Sequence, residues 1–301
     1  MMQLPPYLGK GDRIGITAPA RWVEEKDLNH FIRAVEGQGW EVRTGRIQTR
    51  HHQFAGSDGE RLADLQAMLD DPEIKAVICA RGGYGTGRLL DRVDLNALAS
   101  RPKWIAGFSD VTALHCLILM KIGMAVLHSP MPYTLGEGKD EAGLSSLIRA
   151  LRGEFTDYEI PPHPLNRNGN AQGLLLGGNL SVLFSLTGTS FQIPTRGAVL
   201  FLEDVDEYLY HLDRMMLNLR MSGMLKNLNG LIIGGMTDMH DNEVPFGKNA
   251  YGIIRDTVEP YGFPVCFGFP AGHQVPNLTL VLGREVHLEV EPGGCRMNYI
   301  E

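Results

Sequence analysis

The stretch Lys103–Gly123, KWIAGFSDVTALHCLILMKIG, decides the reading of this chain. Trp104–Ala106 is a short apolar run with the character of a buried strand. Leu114, Leu117, Ile118 and Lys121–Ile122 then continue at helical spacing. Ser109 falls on the turn between the two. Such a turn pushes one side chain out at the top of a sheet and aims the first helix amides at whatever binds there. A serine ahead of a helix also reads as an N-cap that satisfies orphan amides. The rest of the chain has to separate a cap from a nucleophile.

Strand and helix patterns alternate on both sides of this segment. RIGITAP (Arg13–Pro19) is a buried strand closed by proline. Leu28, Phe31, Ile32 and Val35 make one helical face, ended by Gly37 and Gly39. EVRTG follows as a second strand. Ser57 and Glu60 form a capping box ahead of Leu62, Leu65, Met68 and Leu69 on one face. KAVICA (Lys75–Ala80) and MAVLH (Met124–His128) are further strands. This alternation predicts an α/β fold with a parallel sheet in the N-terminal part. In Glu159–Gly173, three prolines, three asparagines and two glycines read as a linker. Beyond it, GAVLFLED, GLIIGG, PVCFGF, LTLVLG and EVHLEVE make the pattern strand-rich, interrupted by the helix YLYHLDRMMLNLRMSGML. The expected organisation is two domains: an N-terminal parallel-sheet α/β domain over 1–155, a linker over 156–171, and a strand-rich C-terminal α/β domain over 172–301.

Bulk properties narrow the function. The chain has 301 residues, 44% of them hydrophobic, enough for two cores. A net charge of −7 and no run of Lys or Arg argue against a nucleic-acid partner. The N-terminal MMQLPPYLGKGDRIGI lacks a signal-peptide pattern, and the longest apolar run is too short to span a bilayer. Cys79, Cys116, Cys266 and Cys295 form no C-x-x-C pair and read as reduced thiols. A cytoplasmic protein without membrane contact is the expectation.

Three further segments carry chemistry. ICARGGYGTGRLL (Ile78–Leu90) sets two glycines after a strand, where backbone amides can approach a ligand; the spacing fits neither G-x-G-x-x-G nor a G-K-[ST] loop. It reads as a plain turn or as a donor loop for an oxyanion. VLFLEDVDEYLYHLDR (Val199–Arg214) ends an apolar strand in Glu203-Asp204, at the strand end where open α/β sheets place ligands; a solvated loop residue is the other reading. GFPAGHQVPNLTLVLG (Gly268–Gly283) puts His273 just after a strand. No metal-ligand spacing joins the ten histidines, so no metal or other cofactor is expected. A serine, a histidine, a carboxylate and a donor loop, each at a strand end, are the parts of acyl transfer.

These segments resemble the LD-carboxypeptidases, the serine peptidase family that includes murein tetrapeptide carboxypeptidase. The resemblance runs through KGDRIGITAPA (Lys10–Ala20), FAGSDGERLADLQ (Phe54–Gln66), CARGGYGTGRLLD (Cys79–Asp91), GFSDVTAL (Gly107–Leu114), GGNLSVLFSLTGT (Gly177–Thr189), LFLEDVDEYLYHLDR (Leu200–Arg214) and GHQVPNLTLVLG (Gly272–Gly283). It implies Ser109 as nucleophile, His273 as base and Glu203 as its carboxylate partner, with capping left to Asp110. It implies an oxyanion site from the backbone amides of Asp110 and Gly83, or Gly82 in its place. Arg81, Gly82 and Asn179 are substrate-contact candidates by position. The implied reaction releases D-alanine from a muropeptide tetrapeptide in peptidoglycan recycling, without cofactor. The serine lies in one domain and its partners in the other, so the triad would assemble at the domain junction. A homodimer is also implied. Ser129, Val281 and Leu212 depart from the family pattern without removing a catalytic group. A hydrolase of acyl-aminoacyl-nucleotides, similar to the microcin self-immunity peptidases, and a non-catalytic muropeptide-binding protein are the alternatives.

Overall fold

The computed structural model describes residues 2–155 and 157–300. In chain order the elements are β1 (Arg13–Thr17), α1 (Asn29–Glu36), β2 (Glu41–Thr44), α2 (Asp58–Asp70), β3 (Ile74–Cys79), α3 (Asn96–Ser100), β4 (Trp104–Gly107), α4 (Thr112–Ile122), β5 (Val126–His128) and α5 (Glu141–Arg152). They continue with β6 (Tyr158–Ile160), β7 (Gly169–Asn179), α6 (Leu180–Leu186), β8 (Val199–Val205), α7 (Leu209–Met221), β9 (Gly230–Thr237), α8 (Ala250–Val258), β10 (Val265–Phe267), β11 (Leu280–Leu282), β12 (Glu285–Glu291) and β13 (Gly294–Tyr299).

These elements form two compact units. One comprises Met2–Phe155 with Val275–Val281; the other comprises 157–274 with 282–300. The first unit is built on a six-stranded sheet of order β11-β5-β4-β3-β1-β2, in which β1 to β5 pair in parallel. Its central strands are apolar and almost fully enclosed: Ile14, Ile16, Val77, Ile78 and Ile105 all have 0% exposure. Strands buried on both faces read as continuous apolar runs, which is why KAVICA and WIA show no alternation. β2 is an edge strand, and its residues are largely exposed. The order reverses between β1 and β3, since β2 lies on one side of β1 and β3, β4 and β5 lie on the other. Such a reversal leaves a crevice at the carboxyl ends of the two strands.

Helix α2 starts as its sequence demands. Ser57 Oγ accepts from Glu60 N at 3.3 Å, and Ser57 N donates to Glu60 Oε2 at 2.8 Å. Leu65, Met68 and Leu69 are buried, as is Arg61, which turns inward to the carbonyls of Pro19 and Gly85. Phe31 and Val35 of α1 are likewise buried.

The second unit holds a seven-stranded mixed sheet of order β10-β9-β8-β7-β12-β13-β6. β7 to β10 are parallel, whereas β12 and β13 are antiparallel to their neighbours. Two features depart from the boundaries expected from sequence. Tyr158–Ile160, within the proline-rich stretch marked as a linker, pairs with β13. β11, expected among the C-terminal strands, lies in the first unit's sheet beside β5. The segment leading to it is anchored by Asp140, whose Oδ2 accepts from Asn277 N at 2.8 Å, and by Ser146, whose Oγ accepts from Thr279 N at 2.9 Å. Strand pairing is set by partners distant in sequence, so a local pattern of apolar residues does not reveal which sheet a strand joins.

Removing the Ser57 hydroxyl breaks the capping box. Ser57→Ala is expected to destabilise the first unit by about 1 kcal/mol, read as a lower urea midpoint for its unfolding. An unchanged midpoint would mean that tertiary packing alone holds the start of α2.

Candidate active site

Ser109 follows β4 by two residues and opens a short 3-10 turn, Ser109–Val111, that leads into α4. Its φ is 61°, in the left-handed region that costs a residue with a Cβ about 1–2 kcal/mol. No side chain caps this turn. Ser109 is therefore not an N-cap, and neither is Asp110. The Asp110 carboxylate reaches the other way, and its Oδ2 accepts from Thr86 N at 2.8 Å. That bond ties the segment after β3 to the serine turn.

The glycine loop sits at the end of β3, the strand paired with β4. Gly82 lies against the serine: a Cβ there would fall 3.1 Å from Ser109 Cβ and 3.2 Å from Ser109 Oγ. Gly83 has φ 111°, a conformation that disfavours any side chain, and a Cβ on it would run into the stem of Arg21. Arg81 is half-buried and already engaged. Its guanidinium lies 3.8 Å from the Tyr133 ring centroid, and its Nη1 donates to Trp22 O at 3.4 Å. Cys79, at the end of β3, is buried, and burial followed by the Asp110 charge pushes its thiol up to about 12. A thiol held protonated in this way is no nucleophile.

In the second unit, Glu203 belongs to β8. The strand runs on to Val205, so Glu203 and Asp204 are strand residues with 0% and 1% exposure, not loop residues at its end. Glu203 Oε2 lies 2.6 Å from His273 Nδ1 and also accepts from His273 N at 3.1 Å. Both bonds fix the imidazole relative to the backbone. The approach depends on Gly272, whose φ is 105° and whose missing Cβ would fall 2.6 Å from Glu203 Cβ. Thr237 Oγ1 donates to His273 O at 2.8 Å and holds the loop from β9. Burial lowers the imidazole pKa, but the Glu203 charge and hydrogen bond, with Asp204 and Asp238 behind them, outweigh it. The pKa of His273 is raised above its ordinary 6.5.

Asp204 was not singled out from the sequence, yet it organises the same end of the sheet. Its Oδ1 accepts from Asn179 Nδ2 and its Oδ2 from Ser181 N, both at 2.9 Å. Burial, then the adjacent Glu203 charge, push its carboxyl up to about 7. Asn179 is 3% exposed, and its Oδ1 caps α6 by accepting from Val182 N at 3.2 Å. The sequence signal for Asp204 was its place beside Glu203, but a carboxylate at the end of an apolar run reads equally well as a solvated loop residue. A register shift between Leu202 and Asp204 against β9 accompanies the burial of both. Of the other histidines, His211 pairs with Glu207 and His240 with Asp206. Among the described residues no group of three or more His, Cys, Asp or Glu side chains is placed to hold a metal ion, and no helix is long and apolar enough to cross a membrane.

Within each unit, then, the expected groups come together: Ser109 with Gly82 and Asp110 in the first, Glu203 with His273 in the second. Residues 14–129 match the model of the LD-carboxypeptidase N-terminal domain, and residues 172–288 match that of the LD-carboxypeptidase C-terminal domain. A Bacillus subtilis protein named probable murein peptide carboxypeptidase is 38% identical, over 93% of this chain and 89% of its own length. The murein tetrapeptide carboxypeptidase of Pseudomonas aeruginosa is 32% identical, over 92% of this chain and 93% of its own. The crystal structure of muramoyltetrapeptide carboxypeptidase from Oxalobacter formigenes superposes with a TM-score of 0.87 at 30% identity, covering 96% of this chain and 99% of that one. The chain belongs to the LD-carboxypeptidase family.

Proposed function

We propose that this protein is a serine carboxypeptidase that hydrolyses the peptide bond before a C-terminal D-alanine in muropeptide tetrapeptides, with Ser109, His273 and Glu203 as its triad. The observation that carries the reading is the Glu203–His273 pair. An ionised carboxylate 2.6 Å from Nδ1 keeps the proton on that nitrogen, so base work falls to Nε2. Ser109 Oγ attacks the carbonyl carbon as its proton passes to Nε2. The tetrahedral oxyanion is stabilised by the backbone amides of Asp110 and of Gly83 or Gly82. Collapse expels D-alanine, whose nitrogen takes the proton from Nε2, and water then repeats the sequence on the acyl-enzyme. The positive φ of Ser109 supports its role, because strain held at a half-buried strand-to-helix turn residue is a feature of nucleophile turns. The names of the similar carboxypeptidases supply the substrate class.

A cytoplasmic recycling enzyme and a homodimer belong to the same reading. Four buried, unbridged cysteines fit a reducing compartment. Size-exclusion chromatography with light scattering tests the dimer directly.

Ser109→Ala is expected to lower kcat for D-alanine release from a stem tetrapeptide by at least a thousandfold with an unchanged fold. Retention of a tenth of the rate would remove the serine from the mechanism. Offering an aminoacyl-sulfamoyl-adenylate alongside the tetrapeptide separates this activity from nucleotide-conjugate hydrolysis. A serine-directed phosphonate should label Ser109; tight muropeptide binding without labelling or turnover would mark a binding protein.

The base must be neutral to accept the serine proton. Because the His273 pKa is raised, kcat/KM should climb with pH along a limb lying above 6.5, the ordinary imidazole value. Glu203→Gln removes the charge that raises it, so the limb should move to lower pH while kcat falls. A pH–rate profile with an unmoved limb would detach Glu203 from the base. The same shift links to stability in the opposite sense. A raised histidine pKa contributes stability that is full at low pH and lost as pH rises through the folded-state pKa.

A further inference from the structure

We propose that Arg21 is the group that binds the substrate's terminal carboxylate, which rests on the carboxypeptidase reading above. A carboxypeptidase must tell a chain end from a mid-chain bond, and the distinguishing feature is an anionic carboxylate one residue beyond the scissile carbonyl. A fixed guanidinium beside the oxyanion donors recognises it best. Arg81, the candidate marked from sequence, is already committed to Tyr133 and the Trp22 carbonyl.

Arg21 is differently placed. It follows β1, across the strand-order reversal from the glycine loop that follows β3, so the two flank the crevice at the carboxyl edge of the first sheet. Its N donates to Gly82 O at 3.4 Å. Its stem occupies the space that a side chain on Gly83 would take: a Cβ there would lie 2.5 Å from Arg21 Cδ and 2.7 Å from Nε. Gly82 in turn contacts Ser109, so the guanidinium, the donor loop and the serine form one continuous wall.

The charge of Arg21 is unmatched. Among the described residues it makes no ion pair, and its recorded side-chain hydrogen bond is from Nη2 to the neutral Gln53 Oε1 at 3.2 Å. Its Nε is buried without a hydrogen-bond partner. Nearby arginines are spent otherwise. Arg61 is 1% exposed and bonded to Asp58 and two carbonyls, and Arg88 pairs with Asp58. A half-buried cation whose side-chain partner is a neutral amide calls for an anion. A carbonyl whose oxygen lies at the Gly83 amide would carry its leaving-group carboxylate toward this guanidinium.

The test uses binding as well as turnover. Affinities of a stem tetrapeptide ending in D-alanine and of its C-terminal amide are measured by calorimetry on the Ser109→Ala protein, with and without Arg21→Gln or Arg21→Lys. The free acid should bind about thirty-fold more weakly with Arg21→Gln, the amide should bind equally to both, and Arg21→Lys should restore part of the preference. An unchanged acid-to-amide ratio overturns the assignment, as does equal weakening of both ligands, or no binding of either. If the wild-type protein prefers the acid but releases no D-alanine, the peptidase reading falls and the carboxylate site stands.

Discussion

The buried carboxylate of Glu203 is the constraint on which the arrangement at the end of β8 rests. A carboxylate with no solvent contact is costly unless charge and hydrogen bonds compensate. Here His273 supplies both, through Nδ1 and through its own backbone amide. The compensation works in both directions, since the imidazole is oriented and made more basic by the group that needs it. Gly272 is the enabling residue, because any β-carbon at that point would push the loop off β8. Asp204, directly adjacent and equally enclosed, adds negative potential while its oxygens hold α6 and Asn179. Amide donors and a histidine are among the groups that offset the cost of two neighbouring buried acids.

The first unit meets a different constraint, that of holding Ser109 and the glycine loop close together at the ends of two paired strands. The ends of β3 and β4 do this with backbone conformations that a regular strand would not reach. Asp110 makes the two ends one body by bonding Thr86. Because that bond runs from a side chain to a backbone amide, the positions of Ser109 and the glycine loop are set together and not by the flexibility of either turn.

Much of this was legible in the residues. The strand–helix alternation, the Ser57–Glu60 box and the apolar faces of α1 and α2 follow from periods of 3.6 and from capping chemistry, which are local. Ser109, Glu203 and His273 stood out because each follows or ends an apolar run. What escaped was non-local. Asp110 was expected to cap its own turn, but a carboxylate bonds whichever amide the fold brings to it. Arg81 was a substrate-contact candidate because it adjoins the glycines in sequence, and the packing of the Arg21 stem against Gly83, from some sixty residues earlier, has no local signal. β11 was placed with its sequence neighbours, and the linker was credited with no strand, because pairing partners are invisible to periodicity.

The excursion of Val275–Val281 makes neither unit a contiguous piece of chain. A fragment ending near residue 155 would lack β11, and β5 would become a bare sheet edge with unpaired backbone groups, a template for aggregation. The complementary fragment would carry β11 with no sheet to join. Division of the chain at its apparent midpoint would thus separate β11 from its sheet, and exchange of halves between relatives requires this seven-residue thread to travel with the N-terminal piece.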